Sequence, residues 1–375
     1  MVSRQSKYHS ESRKTSGRHV LRHNKYTRSI IRTGAAVFCL SMLPVALVAC
    51  QGGGGGAIQW EAPERRLLWP YPPDSPRIEY VGEIRTADKV TAKGGIGRGL
   101  KAMLFGKQEN GMIKPVALGK NDSGLLVVAD PGIPTVHFYD LEGRSYRRPK
   151  KKSARLLKTP VGVAVSQKGL AYVTDSTIGE VLVFNRKAKI VNRFGLGTLK
   201  RPTGIALNAQ EDRIYVVDTV ACQVAVFNIA GVYLHAFGSR GAGPGEFNYP
   251  TFISSGANGD ICVSDSLNFR VQVFNANGIH LRSFGSAGDA SGTFSRPKGV
   301  ASDTHGNLYI VDAAFENVQI FNREGALLLG FGEPGTGPGE FTLPTGIAID
   351  ADNMIWIADS FNQRVAVFRL LEEAL

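Results

Sequence analysis

The sequence repeats one unit six times, and this repeat constrains the fold more than any other feature. An apolar run that ends in aspartate recurs at intervals of 45, 43, 47, 47 and 47 residues. An aromatic residue follows each aspartate by nine positions, and a proline precedes it by fifteen or sixteen. The aspartates are Asp130, Asp175, Asp218, Asp265, Asp312 and Asp359; the aromatic residues are Tyr139, Phe184, Phe227, Phe274, Phe321 and Phe368; the prolines are Pro115, Pro160, Pro202, Pro250, Pro297 and Pro344.

Each unit contains four short runs of alternating apolar and polar residues, separated by turn residues. In the third unit, for example, RIYVVD ends at Asp218, QVAVF ends at Phe227, and GVYLHAFG begins at Gly231. Period-two alternation with turns between the runs predicts antiparallel strands. Four short strands repeated about every 46 residues predict an all-β fold, a β-propeller whose blades stack radially to bury their faces.

The chain ends predict how the ring closes. After Phe368 only residues 369–375 remain, which is too few for a turn and a complete outer strand. The segment RIEYVGEI, residues 77–84, precedes the first complete unit and has the pattern of a spare strand. We therefore expect a propeller domain at residues 77–375 with six blades, in which this N-terminal strand completes the last blade. Such closure would hide sheet edges that otherwise promote aggregation.

Three segments carry a family resemblance. They are FGSRGAGPGEFNYPT from Phe237, DSLNFRVQVFN from Asp265 and FGEPGTGPGEFTLPTGIAID from Phe331. The unit resembles the NHL repeat, and the resemblance extends over residues 77–375. No Trp-Asp dipeptide stands at the strand ends, so the WD40 class is disfavoured. The resemblance implies a six-bladed propeller; some NHL propellers bind RNA, and related propellers are zinc-dependent amidating lyases.

The first fifty residues have the pattern of an export signal. A basic segment ending at Arg32 precedes an apolar run at residues 34–49, which favours a signal peptide at residues 1–49. A membrane-spanning helix is the alternative, although the run is shorter than the roughly 20 residues that a bilayer requires. The LVAC segment ending at Cys50 resembles the lipobox of bacterial lipoproteins. That resemblance implies lipidation of Cys50, a flexible tether at residues 50–76 and, because Gln51 is not aspartate, the outer membrane.

The charge distribution argues against a nucleic-acid partner. The formal net charge is +12, but residues 1–50 hold nine Lys and Arg residues and one acid, and residues 144–158 hold eight and none. The remainder is slightly acidic, so no broad basic footprint for phosphate backbones remains. The basic segment could contact an anionic headgroup or an acidic partner, or it could be a solvated loop. Its candidate anionic-contact residues are Arg147, Arg148, Lys150, Lys151 and Lys152.

Candidate catalytic and metal-binding residues are few. The six strand-end aspartates could bind calcium, but one aspartate per blade at the start of a loop favours turn capping. The positions after the prolines, where propeller enzymes hold a tunnel metal, contain no carboxylate, histidine or asparagine. We therefore predict no cofactor and no catalytic residues, with a metal-dependent periplasmic hydrolase or lyase as the alternative. The positions after the prolines are Val116, Val161, Thr203, Thr251, Lys298 and Thr345; the histidines of the predicted propeller are His137, His235, His280 and His305.

Loops between the second and third strands of each blade are the predicted partner surface. In blades four to six they bring aromatic and guanidinium groups together, a composition typical of protein interfaces. Packing of the arginines against neighbouring blades is the alternative. We predict a monomeric, non-catalytic scaffold that binds an envelope protein and is held at the membrane by its lipid anchor. The predicted contact residues are Phe269, Arg270, Phe315, Glu316, Phe361, Gln363 and Arg364.

Overall fold

The computed structural model describes residues 66–90, 111–256 and 258–371. The predicted signal peptide and the predicted lipidation site Cys50 lie outside these residues. Within them, no helix is long and apolar enough to cross a membrane.

The alternating runs of each repeat form the strands of one sheet, as period-two alternation predicts. Five of the blade sheets have four antiparallel strands and that of blade 6 has five; we number the strands from the inner strand at the ring axis outward. Blade 1 has strands Ala117–Lys120, Leu125–Asp130, Thr135–Asp140 and Ser145–Arg147; blade 2 has Pro160–Val165, Ala171–Asp175, Glu180–Phe184 and Ile190–Phe194; blade 3 has Pro202–Leu207, Arg213–Asp218, Gln223–Asn228 and Tyr233–Phe237.

The remaining blades follow the same order along the chain. One short α-helix, Lys151–Leu156, connects blades 1 and 2, and the 3-10 turns Ala87–Lys89 and Ser266–Asn268 complete the described helical elements. Blade 4 has strands Pro250–Ser255, Ile261–Asp265, Arg270–Phe274 and His280–Phe284; blade 5 has Pro297–Ser302, Leu308–Asp312, Asn317–Phe321 and Leu327–Phe331; blade 6 has Pro344–Ile349, Met354–Asp359, Arg364–Leu370 and Ile78–Ile84.

The closing strand predicted from the sequence is confirmed. Strand Ile78–Ile84 pairs antiparallel with Arg364–Leu370, and the register runs from Ile78 opposite Leu370 to Ile84 opposite Val365. A second N-terminal strand, Leu68–Trp69, adds a fifth strand to the same sheet. Its Trp69 side chain is only 6% exposed. Part of the segment expected to be a tether therefore belongs to the propeller.

Six apolar clusters hold the described part of the ring together, one between each pair of adjacent blades. The cluster between blades 6 and 1 joins Val365 and Val367 to Leu126 and Val128 across the closure. The glycine-rich segments between blades end in a phenylalanine that is fully buried in such a cluster, as the predicted inter-blade turns require. These phenylalanines are Phe247, Phe294 and Phe341.

The inner strands of neighbouring blades pack side by side around the axis. At their third position four blades have glycine, because a side chain there would collide with the next strand. A Cβ atom on Gly162 would lie 2.0 Å from the carbonyl oxygen of Thr203. Blade 4 has Phe252 at this position instead, and its side chain packs against apolar clusters on two sides of the tunnel. The tunnel beside it contains a cavity of about 40 Å³.

Candidate binding face

Two sets of loops meet on one side of the ring, and we call this side the loop face. It consists of the two residues before each repeat proline together with the loops between the second and third strands. The strand-end aspartates join the two sets. In blade 5, the buried Asp312 carboxylate accepts hydrogen bonds from the amides of Ser295 at 2.7 Å, Arg296 at 3.0 Å and Ala314 at 2.9 Å.

The equivalent carboxylates of the other five blades are fully buried. Each accepts at least one hydrogen bond from a backbone amide of the loop that enters its blade, and some also accept one from the loop between the second and third strands. This confirms the capping role that the sequence predicted for the six aspartates. Because a buried carboxylate must keep its hydrogen-bond donors, these contacts tie the loop that enters each blade to the end of its second strand.

Large apolar side chains are exposed on the loop face. Five of them stand on the loops of blades 1, 3, 4 and 6, and the exposed fractions range from 37% to 57%. Exposed apolar groups on loops held by hydrogen bonds are suited to contact a protein partner. They are Ile113, Val220, Tyr249, Leu267 and Phe361.

Cations cover two of these aromatic rings. The Lys114 ammonium lies 5.6 Å from the ring centroid of Phe361, which links blade 1 to blade 6 across the closure. The Arg201 guanidinium lies 5.7 Å from the ring of Tyr249 and donates a hydrogen bond of 2.7 Å to its hydroxyl. Such cation–π pairs contribute about 0.5–1 kcal/mol at exposed sites, so they orient the rings while leaving them accessible.

The structure separates the predicted contact residues into two groups. Phe361 and Gln363 are exposed, whereas Phe269, Phe315 and Glu316 are half-buried. The Phe269 side chain packs against the cluster between blades 4 and 5. The Glu316 carboxylate accepts a hydrogen bond of 3.0 Å from the amide of Leu343 in the next blade.

The two predicted arginines face inward, so their packing alternative is the one observed. The Arg270 side chain is 15% exposed and its Nε donates to Asp265 at 2.9 Å. The Arg364 side chain is 1% exposed. Both guanidinium groups are enclosed by the propeller and cannot reach a partner. Arg270 and Arg364 are therefore removed from the candidate contact surface.

Arg364 uses all its donor groups within the ring. Its Nε donates to Asp359 at 2.8 Å, and Nη1 donates to Glu83 of the closing strand at 2.6 Å. Its Nη2 donates to the carbonyl oxygens of Gly337 at 2.8 Å and Glu340 at 2.6 Å. Burial lowers the pKa of Arg364, but the carboxylates of Asp359 and Glu83 outweigh it, so the pKa lies above its usual value.

The sequence did not point to Ile113, Val220, Tyr249 or Leu267. Val220, Leu267 and Phe361 each stand two residues after a strand-end aspartate. The amides of Leu267 and Phe361 donate to the carbonyl oxygens of Asn248 and Thr342 before the inner strand, while their side chains are exposed. The residue two positions after each repeat aspartate was therefore the available signal.

The predicted anionic-contact residues lie on the outer side of blades 1 and 2. Arg147, Lys150, Lys151 and Lys152 are exposed, and Arg148 is half-buried. The segment was expected to be an outer strand with an exit loop, and it forms the strand Ser145–Arg147 followed by the short helix. These cations therefore stand apart from the loop face.

The histidines of the described residues do not converge. His137 is buried in blade 1, where its ring nitrogens lie 2.9 Å from the Tyr146 hydroxyl and 3.3 Å from Asp130. Burial raises the pKa of Asp130, but hydrogen bonds from His137 and from the amides of Ile113 and Lys114 hold it below its usual value. Among the described residues, no group of three or more His, Cys, Asp or Glu side chains could hold a metal ion.

Hydroxyl pairs line the tunnel mouth on the loop face. The Thr203 and Thr219 hydroxyls lie 2.8 Å apart, and Thr219 donates to the carbonyl of Pro250 in the next blade. Equivalent pairs are Thr251 with Ser266 and Thr345 with Ser360. In blade 5 this pair is replaced by Lys298 and Ala313.

Comparison with known proteins agrees with this architecture. A family model described as a 6-bladed beta-propeller matches residues 204–285 and 298–373. "Protein brain tumor" of Drosophila melanogaster is 29% identical over 138 residues, which are 36% of this chain but only 13% of that protein.

Solved structures are similar in fold at low sequence identity. A structural genomics protein of unknown function from Bacteroides thetaiotaomicron gives a TM-score of 0.57 at 16% identity, covering 79% of this chain and 76% of that one. A structure described as a streptogramin B lyase gives a TM-score of 0.52 at 14% identity, covering 69% of this chain and 94% of that one.

Both likenesses extend around most of the ring, so they concern the propeller as a whole. The ring of six sheets and the family-model match identify the chain as a six-bladed β-propeller.

Proposed function

We propose that this chain is an exported, lipid-anchored scaffold that binds a protein partner through its loop face and catalyses no reaction of its own. The observation that carries the proposal is the set of exposed apolar side chains on a face whose loops are tied to the strand ends by buried aspartates. Interfaces of this kind gain affinity because a preorganised surface loses little conformational entropy on binding. The resemblance to a lyase in fold is at 14% identity, so it concerns the scaffold alone.

The first test places a charge in the proposed interface. Leu267→Asp is expected to weaken capture of the partner by about tenfold or more, because a carboxylate would be desolvated where an apolar group was accommodated. Leu328→Asp is the matched control, since Leu328 is also an exposed leucine but lies on the outer strand of blade 5. The measurement is quantitative photo-crosslinking in intact cells with the full chain carrying a crosslinker at Val220.

Equal capture by both variants and the unchanged chain would contradict the proposed interface. Circular dichroism and thermal unfolding of the purified variants provide the folding control, because both substituted side chains are exposed and neither is expected to change stability by more than about 0.5 kcal/mol.

The membrane anchor is tested separately. Cys50→Ala is expected to move the protein from the membrane fraction to the soluble fraction, because a diacylglycerol group contributes about 0.8 kcal/mol for each buried CH2. Cys39→Ala is the control, since Cys39 belongs to the predicted signal peptide and would be removed with it. A Cys50→Ala protein that stays in the membrane fraction shows that lipidation is not the anchor.

A further inference from the structure

Lys298 is unusual among the residues at the tunnel mouth. Its counterparts in blades 3, 4 and 6 are threonines that pair with a second hydroxyl, but the residue opposite Lys298 is Ala313. The Ala313 side chain has no polar group that could accept a hydrogen bond from the ammonium. Blade 5 therefore places a cation where the neighbouring blades have a closed hydrogen-bonded pair.

The Lys298 ammonium has no hydrogen bond and no ion pair with the described residues. Burial lowers its pKa, and the positive charge of Arg296 lowers it further, while the charge of Asp312 acts in the opposite direction. Asp312 lies beyond salt-bridge distance, and its oxygens already accept amides of the surrounding loops. A partly buried cation without a counter-ion is costly, so this position is suited to receiving one from outside the ring.

The segments that lead into the inner strands carry charge of one sign around the tunnel mouth. The two residues before each repeat proline, twelve in all, include five cations and no acid. All five are exposed, and they stand around the mouth in blades 1, 2, 3 and 5. A rim of like charge attracts ligands of the opposite charge and raises their rate of association. These cations are Lys114, Lys158, Lys200, Arg201 and Arg296.

The small volume of the tunnel cavity limits what can enter. Phe252 packs against the walls on two sides, and the cavity beside it is only about 40 Å³. Such a volume accommodates a few water molecules and excludes a whole organic ligand. The mouth can therefore take the end of a larger molecule, and the exposed apolar side chains of Val220, Leu267 and Phe361 are available for the rest of it.

We propose that the tunnel mouth is a carboxylate-binding site, in which Lys298, supported by Arg296, pairs with a carboxylate that the protein partner presents to the loop face. This inference rests on the proposed function, because it names the group through which the partner is recognised. Charge-assisted pairs of this kind specify orientation as well as affinity, since an amide or hydroxyl at the same place would leave the ammonium unpaired.

A carbodiimide crosslinking experiment tests the pairing directly. The reagent activates the carboxylate, the Lys298 amine attacks the activated carbon, an amide bond forms, and the carbodiimide leaves as a urea carrying the carboxylate oxygen. We expect mass spectrometry of intact-cell crosslinks to find an amide bond between Lys298 and an Asp, Glu or C-terminal carboxylate of the partner.

Three variants make the crosslink specific. Lys298→Arg keeps the charge but cannot form the product, so photo-capture through Val220 should be retained while the carbodiimide product disappears. Lys298→Met should reduce photo-capture by about tenfold or more, because the partner's carboxylate is then left without its cation. Lys187→Met is the control, since Lys187 is an exposed cation in the turn between the third and fourth strands of blade 2, outside the loop face. Photo-capture unchanged in Lys298→Met overturns the inference and leaves the proposed function intact.

A second measurement is independent of any partner. Reductive methylation with labelled formaldehyde gives each lysine a dimethylamino NMR signal, and the Lys298 signal is assigned by its loss in Lys298→Arg. Titration with sodium acetate should shift the Lys298 signal saturably and leave the Lys200 signal unchanged beyond the effect of ionic strength. A Lys298 signal that responds no more than that of Lys200 overturns the carboxylate site, even where a partner is captured through Val220.

Discussion

Replacing Arg364 with methionine is expected to lower the free energy of unfolding by about 3–5 kcal/mol, because it leaves the buried Asp359 carboxylate without its cation. Asp359 is fully buried, and Arg364 is its ion-pair partner at 2.8 Å. Methionine preserves much of the side-chain volume, so the loss reflects charge and hydrogen bonding more than a cavity. Equilibrium denaturation in urea gives the change from the shift in midpoint at constant slope.

Arg364 also joins chain segments that are far apart in sequence. Through Nη1 it bonds Glu83 of the closing strand, and through Nη2 it bonds Gly337 and Glu340 of the turn between blades 5 and 6. The closing strand and its partner Arg364–Leu370 come from distant parts of the chain, so strand pairing and these bonds hold them together. Burial raises the pKa of Glu83, but Arg85 and Arg364 outweigh it, and the pKa lies below its usual value.

Arg270 provides the matched control for this prediction. It bonds Asp265 and the carbonyl oxygens of Gly243 and Glu246, which are the blade 4 counterparts of the Arg364 partners. It has no counterpart of Glu83. Arg270→Met is therefore expected to cost about 1.5–3 kcal/mol less than Arg364→Met, the contribution of one hydrogen bond to a charged group. Equal losses in the two variants would contradict a special role of Arg364 in ring closure.

The comparison of these two arginines also shows what the sequence could predict. Strand order, blade number and ring closure follow from spacings that recur six times, since alternation and turn residues act locally and each copy supports the others. The closing strand was predictable because one blade lacked a strand and one strand lacked a blade. The fifth strand at Leu68–Trp69 was not, because a two-residue strand carries no period.

Burial at the loop face was the part that the sequence could not determine. Arg270 and Arg364 stand five residues after a repeat aspartate, and the same pattern fits an exposed anchor or an internal link between blades. The choice depends on carbonyl oxygens about 25 residues earlier in the chain, which only the curvature of the ring brings within reach. The sequence placed Lys298 in the tunnel. It could not show that the Lys298 ammonium lacks a hydrogen-bond partner, because that depends on the arrangement of the neighbouring blades.

The second large effect is expected at the inner wall of the ring, where Gly346 of blade 6 faces blade 1. A Cβ atom on Gly346 would lie 2.8 Å from the Ala117 Cα atom and 2.8 Å from the Val116 carbonyl oxygen. Both are backbone atoms of a central strand and cannot rotate away. Gly346→Val is therefore expected to destabilise the protein by about 3 kcal/mol, the upper range for overpacking.

Gly330→Val separates this effect from the intrinsic preferences of valine. Gly330 lies on the outer strand of blade 5, where an added Cβ would meet only the Val318 carbonyl oxygen at 3.9 Å. Valine favours strands, so this variant should be neutral or slightly stabilising. Thermal unfolding of both variants beside the unchanged chain measures the difference. If Gly346→Val unfolds at the same temperature as Gly330→Val, blades 6 and 1 can move apart without a loss of stability. The packing between their inner strands is then looser than the close contacts of Gly346 indicate.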